Sequence, residues 1–215
     1  VVARPDYTPP VTDERGRFIV LEGADGCGKS TQAARLVERL TSLGRRALHV
    51  RDPGGTRLSE AVRRILLDPE TGGLSVEAET FLYMAARAQL VAEIVRPALV
   101  DGAVVVCERW TLSTEVYQGI AGGFGAANVR RVARFASAGV EPDLVVVLDV
   151  AVGGGLARLA RARDRMESKS DAFHAQVVRG YRRLARRRAD CVLVPAASAD
   201  ETAARVLTEV LARVG

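Results

Sequence analysis

Eight residues constrain this chain more than any others: Gly23-Ala24-Asp25-Gly26-Cys27-Gly28-Lys29-Ser30 follows the spacing G-x-x-x-x-G-K-[ST]. An apolar run, Phe18–Glu22, leads into the loop, and an amphipathic stretch from about Lys29 to Leu43 leaves it. The loop therefore lies between a predicted strand and a predicted helix. Glycines let backbone amides converge on phosphate oxygens where a side chain would block the approach. The helix N-terminus adds its partial positive charge. Lys29 reaches the terminal phosphates as a compact point charge, a role the planar arginine fork fills less well. Composition sharpens this reading, because only Lys29 and Lys169 among 31 basic residues are lysine. A chain that uses arginine almost everywhere keeps a lysine here for a local reason. The Ser30 hydroxyl is placed to ligate Mg²⁺.

Short valine-rich runs and amphipathic stretches alternate along the rest of the chain. Strands are predicted at Ala47–Arg51, Val104–Glu108, Leu144–Asp149 and Cys191–Pro195, and helices at Leu58–Leu67, Val76–Leu99 and Ala199–Arg213. Strands that are apolar on both faces belong in a parallel sheet covered by helices. The alternation alone permits a Rossmann arrangement, and the glycine-lysine loop decides against it. The expected fold is α/β: a P-loop NTPase-type parallel sheet of about five strands, flanked by helices on both faces. Residues 1–16, with three prolines and no period, are expected to be a mobile leader to a single domain spanning 17–215. Ligands of such sheets bind at the carboxyl ends of the strands.

Bulk properties exclude several classes. No apolar run approaches the roughly 20 residues that span a bilayer, and the N-terminus lacks a secretory pattern. Cys27, Cys107 and Cys191 are widely spaced, without CxxC or nearby histidines. This argues against a zinc site or a disulfide framework and fits a reducing cytoplasm. The net charge of +5 comes with only 5% aromatic residues and no aromatic-interleaved basic stripe, so small polyanions suit it better than nucleic acid. A GTPase would carry Asn-Lys-x-Asp, which is absent. A helicase would need a longer chain.

Other segments narrow the chemistry. Arg109, just past a predicted strand, is placed to clamp a phosphate bidentately, and Arg51 ends another strand. Asp25 sets a carboxylate beside phosphates, which is unfavourable unless a metal or a substrate hydroxyl uses it. Tyr83 and Arg87, four residues apart, share one helix face. With these come Arg51-Asp52-Pro53-Gly54-Gly55-Thr56, Glu108-Arg109-Trp110, Ser113-Thr114, Tyr117-Gln118-Gly119, Pro142-Asp143-Leu144, Leu148-Asp149-Val150 and Asp164-Arg165-Met166-Glu167. In this order, from about Phe18 to Ala189, the segments resemble those of thymidylate kinases of the bacterial type.

That resemblance implies transfer of the γ-phosphate of ATP to dTMP, within dTTP biosynthesis, by a homodimeric enzyme acting on nucleotides and not on nucleic acid or membranes. Gly23, Ala24, Asp25, Gly26, Cys27, Gly28, Lys29, Ser30 and Thr31 would bind ATP. Asp25, Arg51, Tyr83, Arg87, Arg109, Tyr117 and Gln118 would bind dTMP. Tyr83 would stack on thymine, Arg87 would donate to a base oxygen, and Gln118 would reach the base. Tyr117 would crowd a 2′-hydroxyl. Ser30, Asp25 and Glu108 are the implied Mg²⁺ ligands. A lid around 158–167, carrying Arg158, Arg161, Arg163 and Arg165, would close over ATP, with Lys29, Arg109, Arg163 and Arg165 catalytic. The chain departs from the family's usual residues at Asp52 (for glutamate), Glu108 (for aspartate) and Trp110 (for tyrosine), and its lid is about two residues short. The alternatives are a deoxynucleoside kinase and a catalytically silent nucleotide-binding paralogue.

Overall fold

The apolar runs form five strands, β1 (Arg17–Glu22), β2 (Ala47–Arg51), β3 (Val104–Glu108), β4 (Leu144–Asp149) and β5 (Cys191–Pro195). The computed structural model describes residues 15–151 and 164–214. All five strands run parallel, in the order β2-β3-β1-β4-β5. The first strand in sequence is thus the central one, pairing Leu21 with Glu108 on one side and with Val146 on the other.

Alternation along each strand splits the core in two. Phe18 and Val20 of β1 face one side, with Val105, Val145 and Val147. Ile19 and Leu21 face the other, with Val104, Val106, Leu144 and Val146. Both faces are covered, which is why β1 is apolar without interruption from Phe18 to Leu21. Leu36 and Leu40 of α1 (Lys29–Ser42) and Val206 and Val210 of α8 (Ala199–Val214) close one side. On the other lie Leu90 of α3 (Val76–Leu90) and Val177 and Tyr181 of α7 (Asp171–Ala185). The expected α/β architecture is the observed one.

The sequence signals for helix starts work locally. Thr56 caps α2 (Arg57–Leu67) by accepting from Ser59 N, Ser75 caps α3 from Ala78 N, and Ser170 caps α7 from Phe173 N. The long helix expected over Val76–Leu99 exists as α3, a wider-turned segment Val91–Val95, and α4 (Arg96–Val100). Among the described residues, helical segments additional to the sequence reading include α5 (Thr111–Thr114) running into wider turns at Glu115–Ala121, α6 (Ala126–Ser137), and α7. Arg15 and Gly16, assigned to the leader from sequence, already attach to the body: Gly16 N donates to Leu99 O at 3.0 Å and Arg15 pairs with Asp143. Residues 1–14 and the expected lid arginines Arg158, Arg161 and Arg163 lie outside the described residues. Among the described residues no helix is long and apolar enough to cross a membrane.

Candidate active site

The loop after β1 wraps the start of α1. Gly23 adopts φ 140°, and a Cβ there would sit 2.7 Å from Leu148 O and from Cys27 Sγ, so only glycine fits. Gly28, at φ 95°, begins α1 with no side-chain cap, leaving the first helical N–H groups turned toward the loop. Lys29 is buried and folds back over this loop, its Nζ donating to Gly23 O (3.1 Å) and Ala24 O (2.9 Å). Ser30 Oγ donates to Glu108 Oε2 at 2.6 Å, and His49 Nε2 lies 2.8 Å from Glu108 Oε1. Burial favours the neutral form of Glu108, yet the bonds from His49 and Ser30 and the charge of Lys29 hold its pKa below the usual value. A hydroxyl and an ionised carboxylate side by side are hard oxygen donors that fit Mg²⁺ shared with phosphates. Asp25 is committed elsewhere, as the next contacts show.

At the end of β3 the backbone leaves the sheet. Arg109 N still donates to Leu21 O (2.9 Å), but Arg109 itself has φ 67°, a left-handed conformation unusual for a side chain of its size. The turn aims its guanidinium at the loop, where Nη2 pairs with Asp25 and Nη1 donates to Ser113 Oγ (3.1 Å), Tyr181 OH (3.3 Å) and Gly23 O (3.3 Å). The same group sits 5.1 Å over the Tyr117 ring, whose hydroxyl donates to Asp25 Oδ2 at 2.7 Å. Burial would raise the Asp25 pKa, but the charges of Arg109 and Lys29 and the Tyr117 bond outweigh it and leave it lowered. The fully buried carboxylate of Glu22 holds the turn from beneath. It accepts from Trp110 N (2.8 Å), Ser113 N (3.0 Å), Ser113 Oγ (2.5 Å) and Tyr181 OH (3.0 Å).

These groups line a cavity of about 400 Å³ at the carboxyl edge of the sheet, the usual place and size for a small-molecule site. Its walls bring together Asp25, Gly26, Gly28, Lys29, Ser30 and Thr31 of the loop with Glu108, Arg109, Tyr83, Arg87, Tyr117 and Gln118. Arg87 is 1% exposed, with Nε 2.6 Å from Asp52 Oδ2 and Nη2 2.9 Å from Thr114 Oγ1, and it stacks 5.0 Å over Trp110. Burial outweighs the attraction of Arg87 and raises the Asp52 pKa. Burial likewise raises that of Tyr83, which presents a neutral phenol to the cavity.

The family model for thymidylate kinase matches residues 21–205. The chain belongs to the thymidylate kinase family. It is 47% identical over 176 residues to a thymidylate kinase of Pelotomaculum thermopropionicum, covering 80% of this chain and 82% of that one. Similarity to a thymidylate kinase of Geotalea daltonii is 38% identity over 210 residues, covering 93% and 98%. Against that of Desulforudis audaxviator it is 46% over 172 residues, 79% of this chain and 78% of the other.

Two residues expected in the thymidylate kinase site are placed elsewhere. Arg51 is half exposed and pairs with Glu60 (3.0 Å), outside the cavity wall, because β2 ends with that side chain turned toward α2. Arg165 donates to Leu66 O and to Glu79 Oε1, both at 2.8 Å, so its guanidinium is spent on the scaffold. Sequence reasoning missed Arg63, whose guanidinium lines the cavity with Pro53 O (3.1 Å) as its bonded partner. Burial, then repulsion from Arg51 and Arg109, lowers its pKa. Its signal was its spacing, four residues after the buried Ser59 on α2, but the tandem Arg63-Arg64 reads as solvated charge. Glu22, Glu79 and Tyr181 were also missed, for want of any motif.

Proposed function

We infer that the chain transfers the γ-phosphoryl group of ATP to dTMP. The observation that carries this reading is the convergence, in one cavity, of a phosphate cradle with Lys29, a second cationic wall of Arg109 and Arg63, and a nucleobase-sized wall of Tyr83, Arg87 and Gln118. Two anions must approach for phosphoryl transfer, and fixed cations between them screen their repulsion. The open amides of the loop and Lys29 hold the donor phosphates. Arg109 and Arg63 hold the acceptor phosphate, and Tyr117 packs beside the sugar. Ser30 and Glu108 would hold Mg²⁺, which would supply positive charge to the transferred group. Arg158, Arg161 and Arg163 of the lid would supply further charge, and Ala24 and Cys27 contribute backbone to the donor side.

The enzyme works in the cytoplasm, consistent with three free thiols. It pairs with a second copy through α3 and α6, where Phe81 (55%) and Phe135 (81%) are exposed. A coupled ADP-release assay across nucleosides and nucleoside monophosphates tests the reading. dTMP reacts well, dUMP less well, and dCMP, ribonucleotides and purine nucleotides poorly. Reaction with thymidine in place of dTMP reassigns the chain to nucleoside kinases; binding without turnover makes it a silent paralogue. Chelation of Mg²⁺ stops turnover.

A further inference from the structure

Gln118 is buried in the wider-turned segment after α5, yet it lines the cavity beside Tyr83 and Arg87. Its Nε2 donates to Glu79 Oε2 at 3.0 Å. Glu79, 2% exposed on α3, has its other oxygen occupied by Arg165 Nη1 (2.8 Å) and by Lys169 Nζ (3.1 Å), the chain's only lysine besides Lys29. Burial works against the charge on Glu79, but the bonds from Arg165 and Gln118 and the charge of Lys169 hold its pKa below the ordinary 4.5. An ionised carboxylate only accepts hydrogen bonds. A flipped Gln118 amide would set two oxygens against each other with no proton between them, so the amide has one permitted orientation. Among the described residues nothing donates to Gln118 Oε1, which is the polar atom left for the cavity.

We infer that Glu79, bridged by Arg165 and Lys169, is a positioning residue that locks the Gln118 carbonyl toward the base and so selects pyrimidines carrying an N3–H. Thymine and uracil present a donor at position 3, which the carbonyl accepts. Cytosine presents a lone pair there and meets an acceptor with an acceptor, a mismatch that hydrogen-bonding sites reject strongly. The inference rests on the reading of the cavity as the dTMP site. It adds the residue that sets the polarity of its base wall, and it gives Arg165 and Lys169 a purpose away from the phosphates.

The experiment is Glu79→Gln, an isosteric change whose amide accepts from or donates to Gln118 and so frees it to flip. The ratio of kcat/KM for dTMP over dCMP should narrow by about tenfold or more, chiefly through a lower dCMP KM. A merely structural role lowers both substrates together and leaves the ratio unchanged; that result overturns the inference. Gln118→Met, which removes the carbonyl at similar volume, covers the case in which Glu79→Gln does not fold. It should narrow the ratio as much, and retention of the wild-type ratio overturns the inference. In the double variant the Glu79 effect on the ratio should vanish, since it acts through Gln118, and persistence of that effect overturns it equally. Binding calorimetry of dTMP and dCMP on the same proteins reads the base wall without chemistry. A wild type that binds dTMP over dCMP yet transfers no phosphate refutes the proposed reaction and not the lock.

Discussion

Replacing Arg109 by alanine and, separately, by glycine separates what its side chain does from what its backbone costs. Both variants remove the cation from Asp25, which is 13% exposed against 21% for Arg109. Breaking a buried pair costs about 3–5 kcal/mol, and partial exposure here discounts that to roughly 2–3 kcal/mol. The backbone term differs between the two. At φ 67° alanine keeps the left-handed penalty and glycine escapes it, so the glycine variant should be more stable by about 1 kcal/mol. At roughly 2–4 °C per kcal/mol for a chain of this size, alanine lowers Tm by roughly 4–12 °C and glycine recovers roughly 2–4 °C of it. In activity the two should be alike: kcat/KM for dTMP falls by about 10²–10³, the loss typical of one preorganised transition-state donor. ATP binding by calorimetry should change much less. Thermal melts and ADP-release kinetics read these quantities. A glycine variant no more stable than alanine refutes the strain, and equal losses for ATP and dTMP refute the acceptor-side placement.

Lys29→Ala should leave the circular dichroism spectrum intact and cut turnover by about 3 kcal/mol or more; retention of over about a tenth of wild-type kcat contradicts its contact with the transferred phosphates. Arg87→Met strands Asp52 in the core and should cost about 3–5 kcal/mol, or a Tm drop of roughly 6–20 °C, and a melt within a degree or two of wild type contradicts the pairing. Asp25 has a folded pKa below 3.8, so its stabilisation is complete above its unfolded value and disappears as pH falls through the folded one. Calorimetric scans should accordingly show the wild type's advantage over Asp25→Asn shrinking below about pH 4, and an advantage that grows in acid contradicts the sign.

The fold was legible because each strand is a short apolar run and the loop after β1 has fixed spacing. The helices left unread lacked such signals. α7 mixes arginines with its buried Val177 and Tyr181, and Thr111–Ala121 is stabilised by Glu22, 91 residues away from Ser113, a tertiary cause invisible to local pattern. In the site, the residues of the glycine-lysine loop, and Glu108 and Arg109 at the end of β3, were placed by topology alone. Arg51 and Arg165 could not be, since whether an arginine faces a cavity or a neighbouring carboxylate depends on Glu60 and Glu79, on other elements. Arg63 was hidden by the opposite effect: a charge run that looks solvated has one member turned inward.

The central position of β1 has a consequence for synthesis. Its two neighbours, β3 and β4, arrive much later, and the bond from Phe18 N to Asp143 spans 125 residues. Closing such distant pairs is slow, because chain entropy is surrendered before any contact rewards it. While the ribosome is still reading the middle of the message, the emerging chain carries a bare strand, Phe-Ile-Val-Leu, with unpaired edges on both sides. The phosphate loop takes its shape from that strand, from Leu148 O on β4 and from Arg109 after β3. Nucleotide capture is therefore among the last properties the nascent chain acquires, and a product cut short before β4 holds the whole signature Gly23–Ser30 without the strand whose Leu148 O backs Gly23.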